Sequence, residues 1–475
     1  MNLQQVAKLA VSRLGLPVPM AKLTAIQAIA KALDDEAMAA SFAEALAEWV
    51  SSCNLESECL EAICPLVVAT RGRDVADRIR RVLARPSIAS DLLLSVATGS
   101  PILVSTWTGC HSNPVPKLLN VLEEEQALRS GAFVPPLLTH RLEQLERQGG
   151  HPFVRQWAFE YSVLASRYGE HGDGHLDYFF GSERELVGQF VARRGHMARS
   201  AYLRTLACAV EHWDLPESVA RRHSAAAAPA EPIFLQLAPQ VAPTWADFVQ
   251  QRRAEESADG ARLAQTVIHV LEHELQRRLM HCSLAVVDEP GCHIQLEVFS
   301  VAAAAADLDV PGAVNFHTYL LGKASPGRDG IRAFVAQNLG SWDDLGFVPI
   351  LLPLIGSMVG YLQADLLGIV PYMPVATKSL PDLEMVPSTA GAALMSQGRA
   401  VGGWDWWLWN WKPGHPRGWH PPNACCTSLT HDSAEQMSRD LGAGLAYVWR
   451  LTTWRREQSY GEWTESREHG LHAKL

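Results

Sequence analysis

The run HVLEH, from His269 to His273, sets two histidines one helical turn apart with Glu272 between them. On a helix, the imidazoles of His269 and His273 can ligate one zinc ion while Glu272 activates a zinc-bound water for hydrolysis. The apolar stripe of the surrounding segment is Leu263, Val267, Leu271 and Cys282, with Val270 and Arg278 at its edges, so both histidines fall on the opposite, solvent side. A second set, His171, Asp173, His175 and Asp177, alternates with glycine and leucine. An extended chain would turn all four to one side as a metal-binding comb, and the glycines suit a polar loop between helices equally well. A third set is His415, His420, Cys425 and Cys426, followed by His431. It offers two nitrogens and two sulfurs to a structural zinc, at a spacing that matches no common finger.

HVLEH resembles the HxxEH form of inverted zinc peptidases, which would imply a metal-dependent hydrolase, but nothing else in the chain resembles that family. Other catalytic signatures are missing. Gly322-Lys323 lacks the upstream glycine of a phosphate-binding loop and is followed by Ala324. Gly442 and Gly444 are followed by Tyr447 where a dinucleotide fold needs a third glycine. Ser357, in IGSMVG, misses a nucleophile elbow by one position. A hairpin around Pro290 and Gly291 carries Asp288 and Glu297, as in metal-dependent nucleases, but Phe299 stands where the lysine of such a site belongs. Asp288 is also at the turn while Glu297 lies several residues up the next strand.

The most unusual composition is WDWWLWNW. In a strand, Trp407, Trp409 and Trp411 share one side, while Trp404, Trp406, Leu408 and Asn410 share the other. Burial on both sides, a partner surface, or stacking of a sugar or a base would each use such a strand, and packing is the commoner use.

Short amphipathic helices must carry these groups. Leu23, Ile26, Ala30 and Leu33 recur at helical spacing behind Pro17; Phe42, Ala45, Leu46, Trp49 and Val50 make a second stripe. Leu55, Cys59, Ile63 and Val67 make a third, and Val75, Ile79 and Val82 a fourth. Such helices bury one face only by stacking on neighbours. The stretch GLPVPMAKLTAIQAIAKALDDE resembles a HEAT-like repeat, which implies a helical, solenoid-like scaffold over residues 1–100. Helical patterns continue over 101–222, with Leu118, Leu119 and Leu122 leading one helix; Phe153, Trp157, Tyr161 and Leu164 marking another; and Tyr202, Leu203, Leu206, Val210 and Trp213 a third. The Ala/Pro run at 223–232 has the composition of a linker. Residues 233–475 then read as a mixed α+β domain, with a helix from Asp259 to Cys282, the hairpin, and strands over Phe347 to Met373 and Trp404 to Trp411.

At 475 residues the chain should form two or three domains, and 48% hydrophobic with 19% charged residues is a globular balance. A net charge of -10 disfavours nucleic acid as a partner. Nine cysteines without framework spacing, and an N-terminus without a signal-peptide core, fit a reducing cytoplasm. Leu345 to Leu362 is uncharged, but its prolines and glycines suit buried strands better than a membrane span. The expectation is therefore a non-enzymatic scaffold or adaptor that binds other proteins of a bacterial system, such as phage defence, with no cofactor. The alternatives are a metal-dependent hydrolase using His269, Glu272 and His273 or the His171 to Asp177 comb, and a ligand- or single-strand-binding module built on the Trp cluster, with zinc as the possible cofactor.

Overall fold

The computed structural model describes residues 2–16, 19–102, 107, 113–130, 136–169, 193–230, 235, 237, 240–244, 260–288, 291–302, 348–353, 372–388, 391–408, 423–456 and 461–473. The described residues divide into two units, up to Leu235 and from Leu237 onward.

The first unit is helical. Its helices are α1 (Leu3–Ser12), α2 (Pro19–Asp34), α3 (Ala39–Ser52), α4 (Glu56–Val68), α5 (Gly72–Val82), α6 (Ile88–Thr98), α7 (Leu122–Ser130), α8 (Pro136–Gly149), α9 (Phe153–Tyr168), α10 (Arg193–His212) and α11 (Glu217–Ser224). Local chemistry sets several ends. Asn2 and Gln5 exchange side-chain and backbone hydrogen bonds in a capping box at α1. Ser87 caps α6, and Gly99 closes it in a left-handed conformation, φ 64°. Each of the first helices packs on the helix two places along as well as on its neighbour: α1 on α3, α2 on α4, α3 on α5, α4 on α6. That stagger buries the first three stripes expected from the sequence, including Leu23, Ile26, Leu33, Phe42, Leu46, Val50, Leu55, Cys59 and Ile63; of the fourth only Ile79 is buried, and Val82 is exposed.

Two expectations for this unit are corrected. Leu118 and Leu119 lie in a non-helical segment, and helix begins only at Leu122. Leu119 N–H closes a turn on the Pro116 carbonyl, and Arg155 takes the carbonyls of Pro116, Lys117 and Leu119. The Ala/Pro run is also not an exposed tether: Ala225–Ala227 form a 3-10 turn, and Ala225, Ala226, Ala227, Ala228 and Ala230 are all buried. Side chains this short allow backbone to pack closely, and composition alone does not separate that use from a linker.

The second unit is built on a sheet that runs β12-β11-β3-β2-β10-β9-β8-β7, with β1 beside β9 and β4 beside β3. Its strands are β1 (Gln240–Val241), β2 (Arg278–Asp288), β3 (Cys292–Ala302), β4 (Val348–Pro349), β7 (Glu384–Ser388), β8 (Gly391–Ser396), β9 (Arg399–Leu408), β10 (Asn423–Leu429), β11 (Leu445–Arg455) and β12 (Thr464–Ala473). Pairing is antiparallel except for β1 on β9. One face packs under α12 (Gly260–Leu275), where Leu263, Val267, Ile268 and Leu271 meet Leu279, Cys282, Val298, Trp407 and Trp449. The other face packs under α13 (His431–Leu441) and the β5–β6 pair (Leu351–Pro353, Tyr372–Pro374), through Phe299, Val301, Leu394, Met437 and Val448.

The helix expected from Asp259 to Cys282 is shorter than its apolar pattern suggests. It ends at Leu275, Gln276 turns the chain with φ 50°, and Cys282 belongs to β2. In β9, Val401 is a bulge between the pairs Ala400↔Met395 and Gly402↔Leu394. Beyond it, Gly403, Asp405 and Trp407 face α12, while Trp404 and Trp406 point to the opposite face of the sheet. Of the uncharged stretch Leu345 to Leu362, the described part is β4 and β5. No helix among the described residues is long and apolar enough to cross a membrane.

Candidate functional site

The HVLEH residues divide by role. His269 and His273 are exposed, their rings 6.3 Å apart, and His273 contacts Glu274 at 3.2 Å. Glu272 turns the other way: it accepts from the Tyr447 hydroxyl and from Leu279 N–H at 3.1 Å, and lies 3.6 Å from Arg278. Burial first, then the Glu272 charge, pushes the Tyr447 hydroxyl well above its ordinary range. Glu272 thus ties α12 to β2 and β11 and does not share a ligand with the two imidazoles.

Cys425 and Cys426 are consecutive in β10, so their side chains leave opposite faces of the sheet and cannot hold one zinc ion. Cys426 faces α12 beside Cys282, its partner in the ladder, and Cys425 faces Trp404. Burial raises both thiols, Cys425 to about 12. Trp404, Trp406 and Trp407 are buried, which removes them as an open stacking platform. His171, Asp173, His175, Asp177, Trp409, Trp411, His415 and His420 lie outside the described residues. Among the described residues, no three His, Cys, Asp or Glu side chains are grouped to hold a metal ion. Asp288 and Glu297 stand apart in the β2–β3 register, Asp288 opposite Cys292 and Glu297 opposite Ser283. Glu297 instead pairs with Arg450, whose Nε lies 3.1 Å away.

Two groupings were not foreseen from the sequence. In the first unit, Lys22 Nζ meets Glu61 at 2.5 Å, the other Glu61 oxygen lies 3.5 Å from His196 Nε2, and His196 Nδ1 lies 3.0 Å from the Ser57 hydroxyl. Ser57 N–H donates to Ser200, and Arg204 Nε donates to Glu56 at 2.8 Å. Burial, then Lys22 and Arg199, hold His196 well below its usual value, so it is neutral. Ser57, His196 and Glu61 have the residue types of a nucleophile, base and orienting acid. Every one is buried, however, with Ser57 fully so, and the cluster joins α2, α4 and α10.

The second grouping is on the surface. Leu118 is 99% exposed, Leu122 61% and Leu119 38%. The segment that presents them is held from α9: Arg155 donates to the carbonyls of Pro116, Lys117 and Leu119, at 3.3, 2.8 and 2.6 Å. Gln156 accepts from Val115 N–H at 2.7 Å. Glu123, Glu124 and Glu125 follow at once in the first turn of α7.

No known protein family and no characterised protein matches this chain. The chemistry of its own residues therefore carries the functional argument. The grouping with both solvent access and a fixed backbone is the leucine segment. The sequence carried no local signal for it, because Pro114 and Pro116 could equally have opened a helix over the leucines.

Proposed function

We propose that the protein is a non-enzymatic adaptor that docks a partner protein through Leu118, Leu119 and Leu122. The observation that carries this reading is the wholly exposed Leu118 on a backbone pinned by three carbonyl hydrogen bonds from Arg155. Burying one such leucine is worth about 1.5–3 kcal/mol, and a loop already held in place loses little further entropy on binding.

The partner is a protein with an apolar pocket rimmed by Lys or Arg. Glu123, Glu124 and Glu125 border the leucines, and a net charge of -10 works against association of two copies of this chain. The staggered packing of α1 to α6 supports a HEAT-like scaffold behind that loop. The expected setting is a multi-protein system whose other subunits supply the pocket.

The test is affinity capture of the full chain from its native host beside Leu118→Asp and the triple change Glu123→Lys, Glu124→Lys, Glu125→Lys. Each captured protein is identified by mass spectrometry, then titrated in pure form against all three. A partner that binds directly, is lost with either variant and weakens with salt supports the adaptor. Recovery of the same proteins by all three chains overturns it.

A further inference from the structure

On the sheet face under α12, four adjacent strands place Ala393, Gly403, Ser428 and Leu279 in one row, β8 to β9 to β10 to β2. Asp405 and Cys426 stand in the next row on the same face. Arg277, just before β2, reaches across β10 until its Nη1 lies 2.4 Å from where a Cβ on Gly403 would stand. The absent side chain at Gly403 is what lets the guanidinium lie there.

The polar groups gathered at this spot are uncommitted. The Ser428 hydroxyl is fully buried without a hydrogen-bond partner, and so is Oδ2 of Asp405. Arg277 makes no ion pair or hydrogen bond among the described residues, and it interacts with Asp405 only at longer range. Buried polar atoms without partners are rare in folded proteins, and each needs an occupant or an explanation. Asp405, Arg277 and Ala393 each keep part of their surface exposed at the edge of this spot.

We propose that Arg277, Asp405 and Ser428 bind a small neutral planar group that carries C=O beside N–H, as in a carboxamide or the lactam edge of a nucleobase. A guanidinium only donates and a carboxylate only accepts, so a ligand needs an acceptor and a donor side by side. An anion would be repelled by Asp405 and a cation by Arg277. The Ser428 hydroxyl, able to donate or accept, completes the contacts. This site is independent of the leucine loop and of the adaptor reading.

The probes are nicotinamide for the carboxamide and uracil for the lactam, each titrated into the full chain by ligand-observed NMR, with benzoate and benzamidine as charged analogues of similar size. Binding of nicotinamide alone assigns a carboxamide, uracil alone a lactam edge, and both the shared group. In each case binding should weaken at least about tenfold in Arg277→Gln and in Asp405→Asn, both checked for native circular dichroism. Should Asp405→Asn fail to fold, Arg277→Gln and Gly403→Ala, whose methyl displaces the guanidinium, carry the test. The proposal is overturned if neither amide binds at millimolar concentration, if a charged analogue binds better, or if the folded variants bind unchanged.

Discussion

The indole of Trp449 occupies the space that a side chain on Gly470 would fill: a Cβ there would stand 2.4 Å from Cζ2 and 2.8 Å from Nε1. The two residues face each other across the β11–β12 ladder. Gly260, at the start of α12, meets the same indole from the helix side, its Cβ position 2.9 Å from Cζ3. Gly470→Ala and Gly260→Ala should each destabilise the protein by about 1–3 kcal/mol through overpacking, read as a lower urea midpoint. Trp449→Leu should relieve much of the Gly470→Ala penalty in a double-mutant cycle, and strict additivity would show that the indole is not the obstacle.

The HVLEH residues should separate in a stability assay. His269→Ala and His273→Ala, both on exposed positions, are expected to stay within about 0.5 kcal/mol of the parent. Glu272→Ala leaves the Leu279 N–H and the buried Tyr447 hydroxyl without their acceptor, and should cost about 2–3 kcal/mol. The opposite ranking would return the histidines to a functional role.

In the first unit, Lys22→Met or Glu61→Leu alone leaves a buried charge without its partner and should cost about 3–5 kcal/mol. The double change should recover most of that loss, because two apolar side chains need no pairing. Chemical denaturation of the four proteins closes the cycle.

How far was this readable beforehand? The apolar stripes of α2 to α4 were, because a period of 3.6 residues survives whatever the helices pack against. The split into a helical part and a sheet part was visible as well, in the change from that period to β-branched and aromatic runs. The buried cluster was not: Lys22, Glu61 and His196 meet only after three helices have packed, and each alone looks like a surface residue. The leucines at Leu118 and Leu122 misled for a related reason. Their exposure depends on Arg155, far along the chain, capturing the carbonyls of their loop.

Asp405 should give a distinctive pH dependence. Burial, opposed by Arg277, raises its carboxyl to about 6 from an ordinary 3.8. The folded state therefore keeps this proton to higher pH than the unfolded state does. Stability from this group is full below about pH 4 and falls as pH rises to about 6, by at most ~3 kcal/mol and less for a partly exposed side chain. Asp405→Asn should remove that fall, and denaturation at pH 4, 5, 6 and 7 shows whether the two proteins differ in slope.

Arg155→Ala should loosen the leucine loop without unfolding the unit. Hydrogen exchange of residues 113–121 is expected to accelerate while α9 keeps its protection. Unchanged exchange in the loop would mean that the three carbonyl contacts do not hold it.

The bulge at Val401 acts on β9 like a frameshift. Every side chain after it is read one step out of phase with those before it, and that step sends Trp407 under α12 and Trp404 and Trp406 to the other face. Were Val401 instead to pair regularly opposite Leu394, with no residue removed, the two sets would exchange, turning a pair of indoles toward the helix and carrying Asp405 away from Arg277. One position of slack in a single strand thus decides both which face of the sheet each indole takes and whether the polar site exists at all.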